Sequence, residues 1–231
     1  GLSSLLAVWM THGVFVEPST VSGGFSPSTV WGSISRKANP INTLVLVPAM
    51  VHALQQEANH QTRVNSFPHV DLILVGGQSL SASQQTFLRG TFPAARIVQT
   101  FACTEAASSL TFLDVTEPPA LDTTKVLEPP GVCIGRPPSH VQLQLFSAVR
   151  DSATKASTAN NPFQVGLIGT RGPHVMSGYW GKGRRREDEW HVTSDFGYWD
   201  KVGRLYFCGR QTDTIRTGGE TVWATEVEQT L

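Results

Sequence analysis

Three short runs of β-favouring apolar residues, each set against a helix-type segment, constrain what this chain can fold into. Thr43-Leu44-Val45-Leu46-Val47 is stopped by Pro48, and Asp71-Leu72-Ile73-Leu74-Val75 is stopped by Gly76-Gly77. A third run, Arg96-Ile97-Val98-Gln99, follows a helix expected from about Ser81 to Arg89. Unbroken apolar runs of this length suit strands buried on both faces of a parallel sheet. Pro48 suits the first turn of a helix through Ala49, His52, Ala53 and Leu54, where its missing N–H costs no hydrogen bond. Leu2 to Met10 reads as a buried helix, and Val14-Phe15-Val16 as a short strand closed by Pro18. Strands alternating with helices at this spacing indicate an α/β unit with a parallel sheet.

The texture changes after about Asp114. Thr116 to Pro130 is rich in Pro and Thr and reads as a connecting loop. Short strands then follow at Val141–Phe146, Gln164–Thr170 and Arg204–Cys208, separated by Gly and Pro, as in a small antiparallel or barrel-like subdomain. Asp151 to Asn161 is a polar hairpin tip. From Gly209 the chain has a Gly-Gly turn, and Glu226 to Leu231 reads as the first turns of a helix. The expected division is an α/β subdomain over 1–115, a β-rich barrel-like subdomain over 116–208, and the start of a C-terminal lid domain over 209–231.

Eighteen Lys and Arg balance eighteen Asp and Glu, so no global field points to nucleic acid or a membrane surface. Arg184-Arg185-Arg186 beside Glu187, Asp188 and Glu189 reads as an exposed, self-neutralising loop. No apolar run reaches the roughly 18 residues that span a bilayer. Cys103, Cys133 and Cys208 show neither a CxxC pair nor Cys/His ligand spacing, and read as thiols of a reducing compartment. The seven histidines show no i, i+4 pairing, and the nucleophile-elbow, P-loop and dinucleotide-binding glycine patterns do not occur.

Some segments carry candidate chemistry. Phe101-Ala102-Cys103-Thr104-Glu105 follows the third strand at its carboxyl end, where open α/β sheets bind ligands. A hydroxyl beside a carboxylate suits a metal–phosphate contact; equally, Thr104 could cap a helix with Glu105 in its first turn. Gly76-Gly77 would let backbone approach a flat ligand, or would simply end a strand. Asp195, in Trp190-His191-Val192-Thr193-Ser194-Asp195, could grip the two hydroxyls of a ribose or form a turn. Arg210 offers a cation near Gly218-Gly219.

The order of these motifs is more specific than any one of them. Gly76-Gly77-Gln78-Ser79, Phe101 to Glu105, Gly166 through Thr170-Arg171-Gly172-Pro173, Thr193-Ser194-Asp195, and Gly209-Arg210 with Gly218-Gly219-Glu220 succeed one another as in the adenylate-forming superfamily, which the chain resembles along essentially its whole length. That superfamily includes acyl-CoA synthetases, luciferases and peptide-synthetase adenylation domains. Gly1 to Met10, Glu105 to Phe112, Arg171 to Met176 and Gly178-Tyr179-Trp180-Gly181 resemble the plant-type 2-succinylbenzoate–CoA ligases of phylloquinone synthesis.

The resemblance implies an AMP-forming acid–thiol ligase using ATP, Mg²⁺ and CoA as co-substrate, with a small carboxylic acid as the other partner. By that resemblance Gly77 and Gln78 line the adenine, with Gln99, Thr100 and Phe101 as the far wall. Thr104 holds a phosphate oxygen and Glu105 the Mg²⁺. Asp195 takes the ribose hydroxyls, Arg210 reaches ribose or phosphate, and Gly218 and Gly219 border the pantetheine path after the lid rotates. Ser108 and Ser109 stand where the acid could contact the site, and Thr212 stands at the hinge. Phe101, Ala102, Thr100, Ser194 and Ala224 depart from the usual residues of these motifs.

The phosphate-binding loop and a His-containing motif would precede Gly1 in such enzymes, and a catalytic lysine would follow Leu231. The chain therefore reads as a fragment, inactive or nearly so alone, with apolar truncation surfaces that favour self-association. Family resemblance implies a chloroplast or peroxisome; the start of the chain lacks the features of a targeting segment. Other acyl-CoA ligases, for fatty or aromatic acids, and a short non-catalytic protein that binds a nucleotide or a partner remain the competing expectations.

Overall fold

The computed structural model describes residues 2–16, 24–60, 66–107, 109–117, 129–147, 161–217, 220–223 and 227. They fall into two compact units, one of Gly1–Thr100 with Asp114–Pro119, the other of Phe101–Leu113 with Ala120–Leu231. Among the described residues no helix is long and apolar enough to cross a membrane.

The first unit begins with helices α1 (Leu2–Met10) and α2 (Pro27–Ile34). Strand β1 (Thr43–Leu46), helix α3 (Pro48–His60), strand β2 (Leu72–Gly76), helix α4 (Ala82–Thr91) and strand β3 (Arg96–Ala102) then alternate as expected. The strands pair in parallel in the order β1-β2-β3, with Thr43 opposite Leu72 and Leu72 opposite Arg96. Pro48 opens α3, as its fixed φ favours. Ser81 caps α4 in a reciprocal box: its hydroxyl accepts from the Gln84 N–H, and the Gln84 side chain accepts from the Ser81 N–H. Such a cap stabilises a helix by about 1 kcal/mol. Ile73, Val75, Leu88 and Ile97 are buried, and Trp31 stacks on Phe67 and Phe92 at 5.5 and 6.2 Å between ring centroids.

Three expectations fail here. Helix α1 forms but is not buried, since Trp9 is 74% and Met10 79% exposed. Val14-Phe15-Val16 is not a strand, because no described segment pairs with it and a lone extended segment leaves its backbone groups without ladder partners. Strand β1 is not covered on both faces: Leu44 and Leu46 are buried, while Val45 is 46% and the following Val47 43% exposed. The apolar run reported a hydrophobic strand correctly, but the number of covered faces depends on what packs over it.

The second unit begins within β3 at Phe101. It contains a 3-10 turn (Thr104–Ala106) and most of β4 (Ser109–Asp114), then β5 (Val132–Gly135), β6 (Gln142–Phe146), β7 (Gly166–Arg171), β8 (His191–Trp199) and β9 (Leu205–Arg210). The last five form an antiparallel sheet in the order β5-β9-β8-β7-β6. The β-rich character matches the sequence reading, but the sheet is open, with β5 and β6 at its ends, and does not close into a barrel. A hairpin of β10 (Thr214–Thr217) and β11 (Glu220–Trp223) follows, and the Trp223 ring lies 4.9 Å from that of Phe196. The β8–β9 turn is built on Asp200, whose carboxylate accepts from the N–H groups of Val202 and Arg204 and from the Arg204 guanidinium at 2.6 Å. The expected 151–160 tip, most of the 116–130 loop and the helix from Glu226 lie outside the described residues, apart from Val227.

One core of this unit groups Leu145, Ile168 and Leu205; another groups Phe196, Tyr198, Tyr206 and Cys208. Burial pushes the Cys208 thiol up from 9.0 to about 12. The folded chain holds that proton more tightly than the unfolded chain, so the contribution is complete below pH 9.0 and is lost as pH rises toward about 12. Between about pH 8 and about pH 10 it should account for about 1.4 kcal/mol of lost stability. Urea denaturation at both pH values is expected to show this loss in the wild type and not in Cys208→Ala; equal losses in both would refute it.

Candidate functional site

Each unit carries its own group of sequence-selected residues. In the first, Gly77 follows β2 with φ at 95°, a left-handed conformation that glycine adopts at little cost. Gln78 is exposed beside it. Gln99, on β3, accepts through Oε1 from the Leu80 N–H at 2.5 Å, so its side chain braces the loop that leaves β2. Thr100, one residue on, directs its hydroxyl at the Val75 carbonyl at 3.5 Å.

In the second unit the chemistry gathers around the 3-10 turn. Thr104 is exposed and does not cap it; the cap position belongs to Cys103, which makes no capping hydrogen bond through its side chain. Glu105 is held twice. Its carbonyl accepts from the Met176 N–H at 2.7 Å, and its Oε1 accepts from the Tyr179 hydroxyl at 2.5 Å. The Tyr179 hydrogen bond, with smaller help from His191 and Arg210, holds the Glu105 carboxyl below the usual carboxylate range. An ionised, half-buried carboxylate is a suitable oxygen ligand for Mg²⁺, which takes one or two such groups and keeps several waters. Phe101 is half-buried, packing on the Leu145 cluster and on a third cluster of Ala106, Leu110 and Val141.

Asp195 does not form a turn. It lies within β8, directly opposite Arg210 of β9, and the Arg210 guanidinium donates to its Oδ1 at 3.0 Å. The Asp195 side chain is 7% exposed and that of Arg210 63%. Burial raises the Asp195 carboxyl above its usual value, against the opposing pull of Arg210. Thr212 lies in a short 3-10 turn after β9, where its hydroxyl donates to Asp213 at 2.8 Å. Gly218, Gly219 and Ser108 lie outside the described residues.

Reading the residues one by one missed three. Tyr179, in the stretch Gly178-Tyr179-Trp180-Gly181, has no role legible in the sequence, yet it fixes Glu105. Cys103 and His191 showed no ligand spacing, yet their side chains and that of Glu105 lie with donor atoms within 4.8 Å of one another. A hydroxyl or imidazole on a different element gives no local signal; only the pairing of strands brings it in. Arg185 is a further case, since its guanidinium donates to the carbonyls of Val175, Met176, Arg186 and Glu189 and so ties the charged loop to itself.

The chain belongs to the AMP-binding enzyme family, whose model matches residues 2–180. Among its relatives is the chloroplastic/peroxisomal 2-succinylbenzoate–CoA ligase of Arabidopsis thaliana, 35% identical over 84% of this chain and 35% of that protein. The 2-succinylbenzoate–CoA ligase of Geobacillus kaustophilus is 26% identical over 98% of this chain and 42% of its own length. The solved O-succinylbenzoate CoA synthetase of Bacillus subtilis, in complex with ATP and magnesium, superposes with a TM-score of 0.73 at 25% identity, over 99% of this chain and 43% of that one. The chain thus spans well under half of the length of these relatives.

Proposed function

We propose that this chain carries part of the adenylate-handling machinery of an ATP-dependent 2-succinylbenzoate–CoA ligase. The observation that carries the reading is the Asp195–Arg210 pair, a buried carboxylate and an exposed guanidinium on adjacent strands. Together they offer an acceptor for a ribose diol and a cation for a phosphate. Glu105, held below the usual carboxylate range by Tyr179, supplies the carboxylate for Mg²⁺, which when bound would offset charge developing on the phosphate oxygens.

In the first half-reaction a carboxylate oxygen of the acid attacks the α-phosphorus of ATP and pyrophosphate leaves. In the second, the CoA thiol attacks the acyl carbonyl, AMP leaves, and the thiol proton passes to solvent. In the second unit Thr104 donates to a phosphate oxygen and Phe101 meets the adenine; Gly77, Gln78, Gln99 and Thr100 of the first unit are adenine contacts on family resemblance alone. Residues 209–231 begin a lid that follows the α/β segment 1–115 and the β-rich segment 116–208, and Gly218 and Gly219 line the thiol's approach. The plastid or peroxisome is the proposed compartment, supported by the named location of the Arabidopsis relative. Self-association is supported by the exposure of Trp9, Met10 and Val14.

The test is a chimaera in which this chain replaces the matching stretch of the Bacillus subtilis synthetase, assayed for acid-dependent AMP release. Release with 2-succinylbenzoate is the expected result. Release only with a fatty or aromatic acid would overturn the substrate, and a cooperatively folded chimaera that releases AMP with none of them would overturn the ligase.

A further inference from the structure

We propose that Cys103, Glu105 and His191 form a three-ligand site for a borderline-soft divalent cation of the zinc class. The three residues offer a sulfur, a carboxylate oxygen and an imidazole nitrogen, all within 4.8 Å of one another. They come from two elements. Cys103 and Glu105 stand at the cap and in the first turn of the same 3-10 turn, and His191 is the first residue of β8.

The donor set decides the class of ion. Oxygen ligands suit Mg²⁺, whereas thiolate and imidazole select zinc-like ions. Zinc bonds of roughly 2.0–2.3 Å in a tetrahedron place ligand atoms about 3.5 Å apart, so the three donors need to draw together by about an ångström. All three residues are half-buried, so their side chains are not locked in a core. Tyr179 already occupies Oε1 of Glu105, leaving Oε2 to the ion and orienting the ligand in the manner of an outer-shell partner. Three protein ligands leave a fourth position open, the pattern of zinc sites that accept water or a small molecule. On binding, the Cys103 sulfur exchanges its proton for the metal and that proton goes to solvent.

The site stands independently of the ligase reading, with which it shares only Glu105. If both hold, zinc withdraws from the nucleotide site the carboxylate that Mg²⁺ uses.

The experiment titrates tag-free, metal-free chain with Co²⁺ and then displaces it with Zn²⁺. The expected result is a thiolate-to-cobalt charge-transfer band that Zn²⁺ abolishes, that is absent in Cys103→Ser, and that persists in Cys133→Ser. In competition with a chromophoric chelator, His191→Gln should weaken zinc binding by at least about tenfold, as loss of one of three ligands requires. A folded wild-type chain without the band, or a band that survives Cys103→Ser, overturns the site. If Cys103→Ser fails to fold, the zinc affinity of folded His191→Gln decides, and an undiminished affinity overturns the site. Titration of Cys103→Ser with AMP separates the two proposals: retained AMP affinity with a lost cobalt band upholds the metal site whatever becomes of the ligase.

Discussion

Asp195→Ala is expected to weaken AMP binding to this chain by at least about 10²-fold in the presence of Mg²⁺. A hydrogen bond to a charged group contributes about 1.5–3 kcal/mol, and the proposed ribose contact has two hydroxyls on one carboxylate. The fold should tolerate the change, because Arg210, the partner left behind, is 63% exposed and stays solvated. Asp195→Asn keeps the shape and removes the charge, so it should fall between wild type and Ala. Because burial raises the Asp195 carboxyl, AMP affinity should begin to fall, on acidification, at a higher pH than an ordinary Asp would give. Calorimetric titration reads all three effects. Equal affinity in wild type and Asp195→Ala would remove Asp195 from the nucleotide site.

Gly135→Ala should destabilise the second unit by several kcal/mol. Gly135 sits at φ 87°, in the left-handed region, where an L side chain adds roughly 1–2 kcal/mol of strain. Space is the larger obstacle: a Cβ there would fall on the Phe112 carbonyl. That backbone cannot swing away without breaking the exchange between Phe112 and Arg136, in which each N–H donates to the other's carbonyl at 2.9 and 3.1 Å. Denaturant midpoints compared with Gly203→Ala, a turn glycine with φ 77° and open space around it, separate conformational strain from collision. Similar losses in the two variants would show that strain alone accounts for the effect.

Much of the first unit was legible because its signals are local. Apolar runs ending in Pro48 or Gly76, and Ser81 three residues before Gln84, declare strand ends and a helix start without reference to distant chain. Helix α2 and strand β8 were missed for opposite reasons. The α2 segment is short and carries few apolar residues, with only the Ser26-Pro27 start as a cue. In β8 the residues Thr193-Ser194-Asp195 look like a turn, and only pairing with β7 and β9 makes them a strand. The candidate site divides in the same way. Glu105, Asp195 and Arg210 were picked out by motif order, whereas Tyr179 and His191 depend on register between segments far apart in sequence. The faces of α1 and β1 left open show the remaining limit: a hydrophobic pattern predicts a demand for burial, not what meets it.

The hydrogen bond from Tyr179 to Glu105 also bears on ion selectivity. With one lone pair of Oε1 engaged by the hydroxyl, Oε2 is the freer oxygen, which favours a single contact in the proposed ion site. Calcium, which takes many oxygens and often a two-pronged carboxylate, gains little from such a ligand. Magnesium, which asks for one well-placed oxygen among its waters, gains what it needs. Ordering a glutamate side chain costs up to about 2 kcal/mol, and here Tyr179 orders it during folding, before any ion arrives. In the proposed Mg²⁺ site, a tyrosine hydroxyl on a neighbouring segment therefore orients the carboxylate before the cation arrives.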